Sequence, residues 1–321
     1  MKKVSNLIIL GSIGLIFIGM IIFVISLSTN DWDFGKFNPT NISTNTYQVE
    51  DYFNNIVIEE TSCDINIVYS ENSFCNVVAE EIENLSHIVE VKDNTLIIKE
   101  NDQRKWYEKL INFSDTLIII SINKNILNDL KIDTATSDIN ISNKFTFNNI
   151  TINGSTSDVE LYSNVIDDVE INLSTGDIEV NNITCKNMYL QVSTGDIEIE
   201  NVNCLNDLEI TVSTGDVDLD NVSCNNFNSN GSTGKIILKN VIALNNMNLE
   251  RSTGDIKFEK CDALNIVVET NTGSVKGTLL SNKIFNVETN TGKKDVPESV
   301  SGGSCKISTD TGDIIIEIID K

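Results

Sequence analysis

The chain has 321 residues and carries 47 Asp plus Glu against 23 Lys plus Arg, a formal charge of -24 at neutral pH. A body so acidic repels phosphate backbones and anionic lipid headgroups, which argues against a nucleic-acid partner and leaves cationic partners, divalent ions or plain solubility. With one histidine, His87, and seven cysteines in no Cys-x-x-Cys pair, it argues equally against a zinc site, a fully paired disulfide framework and histidine-based catalysis.

Residues 1–6 hold Lys2 and Lys3, and Leu7 to Leu27 is an uncharged apolar run followed by Asp31 and Asp33. At about 1.5 Å per residue such a run spans about 30 Å, the hydrocarbon thickness of a bilayer. The positive-inside rule then predicts a single-pass cell-membrane protein with a cytoplasmic N-terminus at 1–6, a transmembrane anchor at 7–27 and everything after it outside. A cleaved signal peptide has a shorter apolar region and an Ala-x-Ala-like site, whereas here the run ends in Ser26-Leu27-Ser28-Thr29. No cysteine follows at a lipidation position. Residues 28–45, with Trp32, Phe34 and Phe37, read as a tether carrying interfacial aromatics.

Residues 46–125 read as an N-terminal β capping region, with strands expected at 55–59, 64–69, 75–79, 95–99 and 116–122. Thr61-Ser62-Cys63-Asp64-Ile65 looks like an isolated corner of the kind repeated later. The segment 104–111 reads as a polar excursion, and its Trp106 and Tyr107 are candidates for a contact patch. His87 has no recognisable Ser or Cys partner in the sequence, which predicts a surface or capping residue.

From residue 126 to 321 the chain repeats. Ser174-Thr175-Gly176-Asp177-Ile178 recurs around Gly195, Gly215, Gly234 and Gly254, with weaker copies at Gly273, Gly292 and Gly312 and serine in the glycine place at Ser137 and Ser157. In one unit Leu208, Ile210 and Val212 alternate with polar residues; after the corner the parity flips to Val217 and Leu219, and after Asn221 it flips again to Val222 and Cys224. Strict alternation marks strands with one buried face, and a bend at each flip keeps that face on one side. Such a coil cannot bury its apolar side alone, so copies must stack about 4.8 Å apart and share one core. The fold class predicted is all-β: a parallel β-solenoid, a β-helix-like stack of 19–20-residue coils, with an N-terminal β cap and one N-terminal transmembrane helix. Glycine suits a corner that needs positive φ. Cys185, Cys204 and Cys224 fall where later coils carry Ala243 and Ala263, as small inward residues. Arg251 falls in an inward register used elsewhere by Val192, Val212 and Thr270, and is expected either to reach solvent or to pair with an acidic neighbour.

Together the apolar run, the Asn94–Ile98 and Leu117–Ile120 strands leading to Leu130-Lys131-Ile132, and the Ser-Thr-Gly-Asp-Ile series make the chain resemble the bacterial putative-adhesin family with β-strand repeats, over about residues 50–321. The resemblance implies a membrane-anchored envelope protein of Gram-positive type, encoded beside envelope-stress systems, with no catalytic residues to carry over.

One constellation stands out for function. Asp177, Glu179, Asp196, Glu198, Glu200, Asp216, Asp218 and Asp220 follow the corners of three consecutive coils, so stacking lines up like charges and costs stability. A cationic peptide or a divalent cation would relieve that cost. Lys235, Lys239, Lys257 and Lys276 reverse the sign further on, which makes self-association of acidic and basic sections a candidate. The expectation is a non-enzymatic cell-surface interaction or adhesin-like scaffold, with an unknown protein or cell-envelope component as partner and no cofactor. The alternatives are a sensor of cationic peptides or divalent cations, and a polysaccharide lyase or hydrolase built on a β-helix.

Overall fold

The computed structural model describes residues 14, 17–25, 28–29, 42–105 and 116–319. Of the expected anchor, residues 17–25 are helical and their apolar side chains are exposed, from Phe17 to Ile25. Residues 7–13, 15–16 and 26–27 lie outside the described set, as do Trp32, Phe34, Phe37, Trp106 and Tyr107. Among the described residues no helix is long and apolar enough to cross a membrane.

The rest is strand. The first nine are β1 (Ser43–Val49), β2 (Asn55–Glu60), β3 (Cys63–Tyr69), β4 (Cys75–Glu81), β5 (Leu85–Lys92), β6 (Thr95–Asp102), β7 (Thr116–Ile122), β8 (Asp129–Thr136) and β9 (Ile139–Ile141). All five strands expected between 55 and 122 form, and β1 and β5 are present in addition. From β8 onward the chain winds parallel coils. The wall before each corner runs β8, Asn149–Thr156, Asp168–Thr175, Asn187–Thr194 and Asp207–Thr214 in unbroken register. The wall after it runs β9, Val159–Leu161, Ile178–Asn181 and 197–200. A third, shorter wall, begun by Thr146–Phe147 and Asn164–Val165, completes the turn. The inward positions Leu208, Ile210, Val212, Val217, Leu219 and Val222 are each at most 1% exposed, so the alternation in the sequence is the core.

Both ends depart from chain order. At the N-terminal end β2 lies between β6 and β8, and β3 between β7 and β9, so the first coil in sequence is the second in space. Antiparallel strands then cover the outer edge, β5 on β6, β4 on β7 and β1 on β4. At the other end Gly303–Thr311 inserts between 265–272 and Lys283–Thr291, and Ile314–Ile318 between Val275–Leu279 and Lys294–Asp295. The last coil is therefore enclosed on both sides and the penultimate one is outermost. The repeat copies alone suggested simple succession of Gly273, Gly292 and Gly312.

The two corners are built differently. At Gly215, φ is +148°, and an added Cβ would sit 1.9 Å from the carbonyl oxygen of Gly195 one coil below. This corner thus needs both the glycine's conformation and its missing side chain. The second corner turns on left-handed residues, Asn182, Asn201, Asn221 and Asn240 with φ of 52–58°, and Lys260 with 56°. Asparagine visits that region at low cost. All seven cysteines are free and buried, with Cys185 in register with Cys204 and Cys224 with Ala243.

Arg251 meets neither expectation. It is 1% exposed, and its Nη1 donates to the Glu250 carbonyl at 2.9 Å and Nη2 to Ser229 Oγ at 3.3 Å, with Nε unpartnered. Its register partner, Gly231, provides the room: a Cβ there would lie 2.7 Å from Nη1. Burial pulls the guanidinium down to about 10.

Candidate functional site

The acidic face lies on the wall after the first corner, in three rows set by the pairing register. The corner row is Asp138, Asp158, Asp177, Asp196 and Asp216. It is committed to the fold, because each carboxylate accepts the backbone N–H of its successor: Asp177 N to Asp158 at 2.8 Å, Asp196 N to Asp177, Asp216 N to Asp196 and Lys235 N to Asp216, each at 2.7 Å. The glycine corner leaves an amide unpaired, and the aspartate next to it fills that need in the adjacent coil.

The second row runs Glu160, Glu179, Glu198 and Asp218 in direct register, and the third Glu200 and Asp220, ending on Lys239. Tyr162 donates to Glu179 at 3.0 Å, Asn181 to Glu200 at 3.2 Å and Asn240 to Asp220 at 3.2 Å, while Lys239 lies 3.7 Å from Asp218. Desolvation and the charges of Glu200, Glu179 and Asp218 push the Glu198 carboxyl above its ordinary range. Like charges are therefore held side by side by the sheet. They do not converge: among the described residues, the group of three or more His, Cys, Asp or Glu whose ligand atoms lie within 4.8 Å of one another is elsewhere, at Glu60, Cys63 and His87. Of the eight predicted face residues, the structure ties Asp177, Asp196 and Asp216 into the corner ladder. Glu179, Glu198, Glu200, Asp218 and Asp220 project along the wall.

The surface reading of His87 is corrected. The residue is 5% exposed with its side chain wholly inaccessible, and it lies on the inward parity of β5, beside Leu85. Its ring meets Glu81 Oε1 at 3.0 Å, Glu60 Oε1 at 3.4 Å and Cys63 Sγ at 3.8 Å. Burial depresses the imidazole, yet Cys63 and Glu60 outweigh it and lift the group to about 10. Burial raises Glu60. The signal in the sequence is the alternation Leu85, His87, Val89, Val91, but the polar histidine interrupts its apolar run and the partners come from three other strand ends.

Stacked parallel coils, glycine corners with an aspartate ladder and an antiparallel cap define a β-solenoid repeat protein. The chain belongs to the family described as Toastrack DUF4097, whose model matches twice, over residues 53–205 and 203–321. This is the putative-adhesin type of β-repeat family to which the Ser-Thr-Gly-Asp-Ile series pointed. A protein of Parabacteroides distasonis named a putative adhesin shares the fold over 74% of this chain and 96% of its own, at 18% identity and TM-score 0.50. A putative adhesin of Parabacteroides merdae aligns over 76% and 98%, at 15% identity and TM-score 0.49. A putative lipid binding protein of P. distasonis aligns over 75% and 95%, at 20% identity and TM-score 0.48. No curated protein matches the sequence.

Proposed function

We propose that the protein is a non-enzymatic cell-surface scaffold of adhesin type, held at the membrane through residues 7–27 with its solenoid outside, and that it engages a basic partner through the wall bearing Glu179, Glu198, Glu200, Asp218 and Asp220. The observation that carries the reading is the registered carboxylate row, which the sheet holds in mutual repulsion without gathering it round a point. A row of that kind suits an extended cationic peptide or protein segment, whose charges repeat along its length. A Ca²⁺ ion wants six to eight oxygens converging at about 2.3–2.6 Å, so the divalent-cation reading is weaker. The outward helical residues Phe17 to Ile25 and the lysines before them support the anchor, and the fold relatives named putative adhesins support the surface role. A place in the envelope-stress response rests on the family resemblance. A lyase or hydrolase has less support, since the walls of consecutive central coils are joined by short corners and not by cleft-forming loops.

The test uses the full-length chain in detergent and an oligolysine-type peptide, titrated by fluorescence anisotropy. The variant carries Glu179→Gln, Glu198→Gln, Glu200→Gln and Asp218→Asn, which spares the corner aspartates. Affinity at least about tenfold weaker in the variant, and weakened in the wild type by salt, is the expected result. Equal affinity of the two proteins removes the wall from the function.

A further inference from the structure

Glu60 closes β2 at an inward position. It pairs in register with Thr134, and the same place in later coils is held by Leu173, Val192 and Val212. A carboxylate there is out of water: its side chain is wholly inaccessible, and among the described residues neither Oε1 nor Oε2 has a hydrogen-bond partner, the His87 ring lying 3.4 Å from Oε1. Burying an uncompensated carboxylate costs several kcal/mol or more. Across the corner, Cys63 opens β3 in the register of Ser137, two residues before the Ile65–Ile139 pair. Ser62 Oγ, at the same corner, is also buried and unpartnered.

His87 reaches this corner from the cap. Glu81 fixes its orientation, accepting from the His87 backbone N–H at 2.7 Å and from the ring Nδ1–H at 3.0 Å. Glu81 is held in turn by Tyr47 Oη at 2.7 Å and by the Asn45 amide. With the proton on Nδ1, the Nε2 lone pair faces the Glu60 carboxylate and the Cys63 sulfur, so that an ion between them would take the place of the ring's second proton. The separations, 3.4 Å from Nε2 to Glu60 Oε1 and 3.8 Å from Nε2 to Sγ, are too long for good hydrogen bonds. They are close to the edges of a tetrahedron about a zinc ion, about 3.3 and 3.5 Å for bonds of about 2.0 Å to N and O and about 2.3 Å to S. A carboxylate backing the far nitrogen of the imidazole is the usual outer support of a metal-bound histidine. The Thr116 hydroxyl, 3.0 Å from Sγ, can donate to a thiolate.

We infer that Glu60, Cys63 and His87 form a buried site for one divalent transition-metal ion of the zinc type, oriented by Glu81, which clasps the N-terminal cap to the first corner of the solenoid. The carboxylate and thiolate charges balance the ion. Among the described residues Arg104 is a second cation near this corner; its Nε and Nη2 donate to Asp102 at 2.9 and 3.0 Å, and its Nη1 is buried without a hydrogen-bond partner among them. The expectation that the composition argues against a zinc site is revised for this corner, because spacing rules look for ligand pairs close in sequence and these ligands converge from separate strands.

The full-length chain in detergent is stripped with a chelator and titrated with Co²⁺. One equivalent is expected to bind and to give a thiolate-to-cobalt charge-transfer band, which Zn²⁺ then abolishes by displacement. Cys63→Ser removes the band while keeping the residue that stands at the Ser137 and Ser157 corners, and Glu81→Gln weakens Zn²⁺ binding about 10–100-fold. Zn²⁺ raises the thermal midpoint of the wild type and leaves that of Cys63→Ser unchanged. If Cys63→Ser does not fold, Glu60→Gln takes its place and the wild-type cobalt spectrum stands by itself. A folded wild type without a saturable band, or equal metal uptake in wild type and variant, overturns the site and leaves Arg104 and a protonated His87 to supply the charge.

Discussion

Asp196 has two neighbours that matter, the Asp216 amide it accepts at 2.7 Å and the carboxylates around it. The first stabilises the corner and the second opposes it, so the two can be separated by substitution. Asp196→Ala removes the acceptor and should cost about 1 kcal/mol in denaturant unfolding, whereas Asp196→Asn keeps an oxygen in place and should cost less. A larger loss for Asn than for Ala would mean that charge, not the amide bond, is what the residue supplies. The same reasoning excludes Asp177 and Asp216 from any charge-neutralising test of binding. The corner motif was legible in the sequence as Ser-Thr-Gly-Asp, but the partner of its aspartate was not. That partner lies 19 or 20 residues away, and only stacking brings it near.

Among elements, the two ends carry the information that repetition hides. The strand Lys283–Thr291 owes its pairing to Gly303–Thr311, which is itself paired on the other side with 265–272. Truncation after Gly302 would strip the outer coil of its ladder and leave an open parallel edge on 265–272. Amide protection of 283–291 should then fall by about 100-fold or more in hydrogen exchange, with a tendency to self-associate through the new edge. Unchanged protection in a monomeric truncated chain would contradict the interleaved order. At the opposite end the cap strands β1, β4 and β5 run antiparallel, which ends the parallel ladder instead of extending it. Strands β2, β3, β4, β6 and β7 were readable from their alternation. Strand β5 was obscured because its inward positions include a histidine, and β1 because its residues are mostly exposed.

For the whole molecule, a charge of -24 is spread over a body whose carboxylates are partly aligned at one-coil spacing. Charges about 4.8 Å apart lie well inside the Debye length of about 10 Å at 0.1 M salt. Raising NaCl from about 0.02 to about 0.2 M should therefore raise the thermal midpoint of the full-length chain. The slope should be smaller after Glu179→Gln, Glu198→Gln and Asp218→Asn. A midpoint indifferent to salt in the wild type would show that the face is already neutralised. Solenoid coils contact mainly their neighbours, so stability is approximately a sum along the stack and its ends are where unfolding begins. An enclosed last coil and an antiparallel cap both address that weakness.

Residue periodicity by itself determined the class of fold, the inward set from Leu208 to Cys224, the glycine corners and the burial of Cys185, Cys204 and Cys224, because side chains alternate across a strand with a period of two and a flip in parity can only be a bend. Only the tertiary structure decided the order of the terminal coils, the pairing of each corner aspartate with the next amide, and the meeting of Glu60, Cys63 and His87. Coils with the same pattern are interchangeable as neighbours in the sequence. Which edges actually pair depends on backbone ladders closed over long separations, and no local pattern encodes that choice.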